Sequence, residues 1–490
     1  MRVLVTGATG YIGGRLVPRL RKRGYEVRCF ARAAQRLRGR FDEGVEIIEG
    51  DVKDEASLVR ALHGCDAAYY LIHSMSSTKA FADTDRDAAR RFGAAARAAG
   101  VATIVYLGGL GNDRDPLSTH LRSRHEVGDV LRSSGVRTIE FRAALIIGSG
   151  SISFEMMRYL TERLPVMIAP KWVVTRCQPI GVNDVLAYLI GALESRAQVN
   201  VIYEIGGTDV LSYRDMMLRY AAIRGLNRRI IIVPFFTPQL SSYWVHLITP
   251  ISARVAQPLI RGLYNEVVVH DSAATRDFPQ IVPSGFDDAV REALNRGADA
   301  ETAWFDAFDL HALPTDFAGV KEGMLIDMRV RNASASPERV AAVFSSLGGR
   351  RGWLSGDVLW QLRGWLDRVA GGVGLRRGRR SPSELRAGDA VDFWRVEAYE
   401  PGRLLRLRAE MKLPGRAWLQ FEAEHSESGT ATLRQTAFFE PRGLMGFLYW
   451  YGVALFHEWV FGRMATRIVR EAEKDARGAG ASIPERTKGM

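Results

Sequence analysis

Short β-branched runs alternate with helical patterns through the first third of the chain, the arrangement expected of βαβ units on a parallel sheet. The pattern predicts strands at Arg2–Thr6, Val27–Ala31, Val45–Glu49, Ala67–Ile72, Thr103–Leu107 and Thr138–Phe141. It predicts helices at Tyr11–Arg23, Asp54–Leu62, Asp83–Ala99 and Thr119–Ser134, the first ended by Gly24 and the last by Gly135. Six strands with intervening helices suit a doubly wound α/β sheet. From Gly148 to about Gly297 the alternation loosens into helices and loops, as where a substrate-binding part is added to such a core. Beyond that the grammar turns antiparallel. Met324–Val330 reads as a strand, and Ser336-Pro337-Glu338 opens a helix with Ser at the N-cap and Val340, Val343, Phe344 and Leu347 on one face. Ala390–Phe439 alternates between turn signals at Pro401-Gly402, Pro414-Gly415 and Ser428-Gly429, which predicts a meander, and an amphipathic helix over roughly Met445–Lys474 follows.

With 490 residues, 47% of them hydrophobic, the chain exceeds what one core usually holds. Two domains are expected: 1–297, a linker at 298–320, a second domain at 321–474 and a tail at 475–490. Sixty-seven Lys and Arg against 55 Asp and Glu give a net charge of +12, a balance that suits nucleic acid, an anionic membrane surface or an acidic small molecule. The dense basic run Arg376, Arg377, Arg379 and Arg380 lacks interleaved aromatics or a reading motif, so no specific nucleic-acid partner is expected. Three cysteines without a CxxC pair, and nine histidines without HExxH, argue against a disulfide framework and a metal site. The chain enters its first strand directly from Met1, which predicts a cytoplasmic protein. The uncharged stretch Ile230–Ala253 is broken by Pro234, Pro238 and Pro250, and Leu444–Phe456 is too short to cross about 30 Å of hydrocarbon. Peripheral membrane contact is the remaining membrane expectation.

Directly after the first strand comes Thr6-Gly7-Ala8-Thr9-Gly10-Tyr11-Ile12-Gly13, a GxxGxxG pattern opening a helix. Gly7 allows the tight turn, Gly10 the approach of backbone to a pyrophosphate, and Gly13 close packing of helix on strand, with free N–H groups at the helix start for the phosphates. Where an NAD enzyme places a carboxylate after the second strand, this chain has Ala31-Arg32, followed by Arg36, Arg38 and Arg40. Arginine there attracts a 2′-phosphate, so NADP is favoured, with NAD the alternative; a solvated basic face is the competing reading, most of all for the last three. Asp51, after the third strand, is placed either to accept from the adenine amino group or to cap the next helix.

These residues resemble the extended and atypical short-chain dehydrogenase/reductases over roughly 1–295: TGATGYIG, the Gly50-Asp51-Val52 after the third strand, and LRSSGV ahead of the sixth. YYLIHSM from Tyr69, HLRSRHEVGDVLRSSG from His120 and FEMMRYLTERLPVM from Phe154 are similar to the NmrA-like and complex-I-accessory-subunit-like branch. SPERVAAVF and FFEPRGLMGFLYWYGVALFHEWVF resemble the DUF2867 type of domain and, through it, the START/Bet v 1-like helix-grip fold. The resemblance implies nucleotide binding at Gly7, Thr9, Gly10, Tyr11, Ile12, Gly13, Arg32, Asp51, Val52, Leu71 and Arg124. In that superfamily a Tyr and a Lys at YxxxK, with a Ser on the preceding strand, move the proton. This chain has His120 and Arg124 at the same spacing, and Gly108-Gly109 at the serine position. Arg124 is expected to anchor the nicotinamide ribose, and His120, with an ordinary pKa of about 6.5, to shuttle a proton or simply to start its helix. His73 and Ser74, past the fourth strand, are further catalytic candidates. The resemblance implies an NADPH-dependent oxidoreductase for a hydrophobic carbonyl, quinone or isoprenoid-like substrate, or else a non-catalytic NADP sensor or assembly factor.

A helix-grip domain wraps an antiparallel sheet around a long helix. Its lining is expected among Trp353, Trp360, Trp365, Trp394, Trp418, Phe421, Phe438, Phe447, Tyr449 and Trp450, which equally suit a plain core. His457 and Glu458 interrupt the apolar run of the last helix, and Glu458 with Arg463 reads as a solvated or structural pair.

Overall fold

The computed structural model describes the chain except residues 33, 35–36, 38–40, 42–43, 73–78, 114, 196, 198, 234–259, 295–315, 322, 357–359, 361–362, 366, 368–378, 380–384, 426–429 and 481–490. The chain divides into two compact units, Met1–Ala312 and Leu313–Met490.

In the first unit, strands β1 (Arg2–Thr6), β2 (Glu26–Ala31), β3 (Glu46–Glu49), β4 (Ala67–Tyr70), β5 (Thr103–Gly109), β6 (Arg137–Ala143) and β7 (Val201–Ile205) form one parallel sheet in the order β7-β6-β5-β4-β1-β2-β3. Helices α1 (Tyr11–Lys22) and α6 (Val182–Gly191) contribute Leu16, Val17, Leu20, Leu186 and Leu189 to the core on one face, with Val3 and Val5 of β1. Helices α2 (Glu55–Leu62), α3 (Lys79–Ala98) and α4 (Thr119–Arg132) cover the other, where Leu4 of β1 meets Leu58, Phe92, Val127 and Leu131. Burial on both faces is why β1, β4 and β5 read as nearly unbroken apolar runs. The chain lays down β1, β2 and β3 outward and then returns to place β4 beside β1, so a crevice opens beyond the carboxyl ends of β1 and β4.

The sheet has seven strands where the sequence pattern predicts six: β7 lies in the stretch that reads as helices and loops. That same stretch also supplies α5 (Ile152–Arg163) and α7 (Tyr213–Ile223), which pack Phe154, Leu160, Met216 and Tyr220 into a separate apolar cluster with Ile260, Val267 and Phe286. Asp51 does not cap α2; Asp54 does, its carboxylate accepting from the Ala56 N–H. Most of Ile230–Ala253 lies outside the described residues, as do Ser428-Gly429, the tail from 481 and all of the basic run except Arg379.

The second unit is a seven-stranded antiparallel sheet. Its strands are β8 (Asp316–Lys321), β9 (Met324–Ala333), β10 (Ala390–Val391), β11 (Trp394–Glu400), β12 (Leu404–Ala409), β13 (Gly415–His425) and β14 (Ala431–Pro441), in the order β8-β9-β14-β13-β12-β11-β10. Strand β8 falls where the sequence pattern places linker. Helix α8 (Pro337–Ser345) begins with Pro at its first position, and the 38-residue helix α9 (Gly443–Gly480) crosses the sheet. Val340 and Phe344 of α8 and Met464, Ile468 and Ala472 of α9 bury against Val396, Leu407, Leu419 and Phe421. Leu444–Phe456 is the start of α9. Along it Met445, Leu448, Tyr451, Phe456 and Trp459 are exposed, and among the described residues no helix is long and apolar enough to cross a membrane.

Candidate functional site

The turn after β1 is held by its glycines. Gly7 has a φ of +70°, and a Cβ on it would lie 2.6 Å from the Leu71 carbonyl oxygen. A Cβ on Gly13 would overlap the Gly7 carbonyl and stand 2.8 Å from its carbon, so α1 starts against the loop only because residue 13 lacks one. Gly10 N–H donates to Gly7 O at 2.8 Å, closing the turn. Helix α1 begins at Gly10 with no side-chain cap and no acidic residue in its first turn. Its first N–H groups and positive end therefore await an anion. The Thr6 hydroxyl donates to Tyr69 O (2.8 Å) and accepts from Leu71 N–H (3.1 Å), fixing the end of β4 over this loop.

From the glycines a cavity of about 300 Å³ runs past Leu71, Leu107, Gly108 and Gly109 to a wall of Leu110, Leu145, Tyr213, Leu263 and Val267. Tyr11, Ile12, His120 and Arg124 also line it. The Arg15 guanidinium stacks on the Tyr11 ring at 4.1 Å. Thr9 is exposed on the loop and is not in the cavity wall. His120 and Arg124 stand one turn apart on α4, as their spacing predicts. The Arg124 Nη2 donates to Leu107 O at 2.6 Å, its Cζ lies 5.1 Å from the Tyr106 ring, and Tyr106 Oη donates to the Arg124 carbonyl at 2.9 Å. Its Nη1 is buried with no partner among the described residues. Burial, and then the Arg124 charge, push the His120 imidazole down to about 4. At neutral pH it is an uncharged acceptor or N–H donor, not an acid in waiting.

Gly109, at the serine position, faces the end of the Leu121 side chain, which would have to shift to admit a larger residue. A Cβ there would lie 2.8 Å from Leu121 Cδ2, because α4 lies close on β5. Residues that sequence reasoning passed over hold this approach: His125 pairs through Nδ1 with Asp113 and reaches Gly109 O through Nε2 at 2.9 Å. Arg142 meets Asp113 at 3.1 Å and Glu140 at 2.8 Å, and Arg132 also pairs with Glu140. The apolar wall was missed as well, since its members come from four separated segments, and only Ser212, which caps α7 by accepting from Asp215 N–H, leaves a local signal near Tyr213.

At the other end, Gly50 N–H donates to Ala31 O at 3.1 Å, which sets Arg32 beside the Gly50-Asp51 turn. Arg32 is exposed. The Asp51 Oδ1 accepts from Lys53 N–H at 3.0 Å, and its second oxygen makes no hydrogen bond in the structure described. Val52 packs on the core beneath. His73, Ser74, Arg36, Arg38 and Arg40 lie outside the described residues.

Comparison with known proteins places this architecture. Residues 7–140 match the family described as NAD(P)H-binding, and residues 321–464 match a family described as a protein of unknown function, DUF2867. The chain is 28% identical over 230 residues to (4-alkanoyl-5-oxo-2,5-dihydrofuran-3-yl)methyl phosphate reductase of Streptomyces griseus, covering 46% of this chain and 74% of that one. It is 28% identical over 239 residues to ceramide reductase of Caulobacter vibrioides, covering 47% and 73%. It is 24% identical over 231 residues to NADH dehydrogenase [ubiquinone] 1 alpha subcomplex subunit 9 of Arabidopsis thaliana, covering 45% and 57%. The fold and these matches define an α/β protein with an NAD(P)H-binding domain. More narrowly, the chain joins an NAD(P)H-binding domain with the NmrA-like fold to a DUF2867 domain, and its relatives support an oxidoreductase-like function. The residues present fit the dinucleotide: an uncapped helix start, glycines where a Cβ would fill the cradle, and a buried guanidinium nitrogen in want of an oxygen.

Proposed function

We propose that the first unit is an NADPH-dependent reductase of an apolar carbonyl, quinone or isoprenoid-like substrate. What carries this is the continuity of one cavity from the glycine turn to the wall of Leu110, Leu145, Tyr213, Leu263 and Val267. Bound NADPH supplies hydride. The α1 start receives the pyrophosphate, Arg124 holds the ribose through its free Nη1, and Leu71 and Leu107 exclude water from the reacting end. With a pKa near 4, only about a thousandth of His120 carries the extra proton at pH 7. Its part is to orient a water that delivers the proton, more than to release one itself.

The test is transfer of label. Protein incubated with NADPH deuterated at C4 and a total lipid extract is expected to place deuterium in an apolar product. Bound nucleotide with no labelled product under any condition overturns the reductase reading. That outcome is the one the second reading predicts, a nucleotide-sensing or assembly protein. It has in its favour the packing of Leu121 into the space a serine would need, and a relative that is a complex I subunit.

The nucleotide preference rests on Arg32. Arg32→Asp is expected to shift the ratio of NADPH to NADH affinity by on the order of tenfold or more, because a charge-assisted phosphate contact becomes a repulsion. Equal ratios for the two proteins in a fluorescence titration would remove Arg32 from the site.

A further inference from the structure

The second unit holds a cavity of its own, of about 310 Å³, between the sheet and α9. It shares no lining residue with the nucleotide site. Ala409, Ala417 and Ala437 offer only methyl groups to it, while Trp360, Trp394, Phe439, Tyr449 and Trp450 supply rings. Of the aromatics expected as lining, Trp353 and Phe421 are core instead, Phe447 is buried outside the cavity wall, and Trp365 is exposed. A void of this size forfeits dispersion contacts along its wall, so an apolar occupant gains there what a closed core would. Phe456, which lines the cavity, is 55% exposed, so the cavity reaches the surface along α9.

The polar atoms in this wall select the occupant further. Trp394 is 6% exposed, and its indole N–H has no partner among the described residues. His457 Nδ1 is likewise buried without a hydrogen bond, 3.9 Å from the nearest Asp327 oxygen. Burial, then the Arg329 charge, push His457 down to about 4, so it is neutral at pH 7. That leaves Arg363 as the cation of the wall. Its Nε meets Met411 Sδ at 3.2 Å and its Cζ lies 4.9 Å from the Tyr449 ring, and no carboxylate pairs with it among the described residues. Asp367, one turn further on, is taken by the Lys412 N–H at 2.7 Å. The buried indole N–H of Trp394 calls for an acceptor, and the half-buried Arg363 guanidinium, with no carboxylate on it among the described residues, favours a negative one.

We propose that this cavity binds an apolar molecule bearing one carboxylate, its hydrocarbon or ring body among the tryptophans and its anionic group at Arg363. The full-length protein, without nucleotide, is titrated with 11-(dansylamino)undecanoic acid and with its methyl ester, following energy transfer from the wall tryptophans. Saturable binding is expected, with the acid favoured over the ester by at least about tenfold. Arg363→Met should abolish that preference while leaving ester affinity unchanged. Arg408→Met, an exposed arginine outside the cavity, should keep it, which separates the site from general attraction to a basic protein. Ala437→Phe, whose ring would occupy the void, should lose both ligands with an unaltered melting curve. No saturable transfer, equal affinity for acid and ester, or an unchanged preference in Arg363→Met overturns the proposal. The titrations need no NADPH, so their failure and a failure of hydride transfer are separate results.

Discussion

Gly13→Val is expected to weaken NADPH binding by at least about a hundredfold, roughly 2.7 kcal/mol. The reason is steric and confined to backbone. The new Cβ would meet the Gly7 carbonyl group and lie 3.0 Å from Ala8 Cα, and neither can turn aside as a flexible side chain would. Relief comes only by moving the start of α1 away from the turn, and the N–H groups that face the pyrophosphate move with it. Gly24→Ala is the matched control. Gly24 has a positive φ, +84°, which Gly13 does not, and nothing lies within 4 Å of its missing Cβ. That substitution should cost about 1 kcal/mol of stability through backbone strain and leave affinity unchanged. Calorimetric titration of the three proteins decides the matter: an affinity in Gly13→Val equal to that of the parent would remove the glycine turn from the nucleotide site.

This turn was legible in the sequence because its chemistry is local. Three glycines, a strand before them and a helix after them determine the cradle within a dozen residues. Strands β1, β4 and β5 were legible for a related reason, since burial on both faces leaves an apolar run that needs no partner to be noticed. Strand β7 was not. Its run, Val201–Ile205, pairs with β6 in register Tyr203 to Phe141, some sixty residues away, and stands among helices whose patterns dominate the stretch. Strand β8 was hidden by its own composition: DFAGVK carries charge at both ends, and Gly319 sits under the Phe317 ring, where a Cβ would come within 2.6 Å. The substrate end of the first cavity was invisible for the same reason as β7. Leu110, Leu145, Tyr213 and Leu263 become neighbours only when the sheet and the added helices pack, and none has a motif around it. At Gly109 the sequence showed that the serine was gone; only the structure shows Leu121 in its place.

Glu140→Ala is expected to destabilise the first unit by about 3–5 kcal/mol, the range for removing one partner from a buried ion pair. In the strand Arg137–Ala143 the polar positions alternate with Ile139 and Phe141, which on a half-exposed sheet would put Glu140 in water. On this sheet α4 covers that face, and Glu140 is fully buried. Its carboxylate lies between Arg132 and Arg142, and Gly128 of α4 packs on it so closely that a Cβ there would be 2.8 Å from Glu140 Cδ. Removing the carboxylate leaves the buried Arg142 guanidinium, among the described residues, with only Asp113, an exposed partner, to balance it. Helix α4 would then loosen from β5, and His120 and Arg124 ride on α4. Urea unfolding with and without NADPH measures both consequences, because the transition that the nucleotide displaces belongs to the first unit. The expected outcome is a lower midpoint for that transition in Glu140→Ala, a smaller loss in Glu140→Gln, which keeps hydrogen-bonding atoms in place, and a second-unit transition that does not move. A first-unit midpoint within about 0.5 kcal/mol of the parent's, the usual scatter of surface substitutions, would mean that Glu140 does not secure α4 to the sheet.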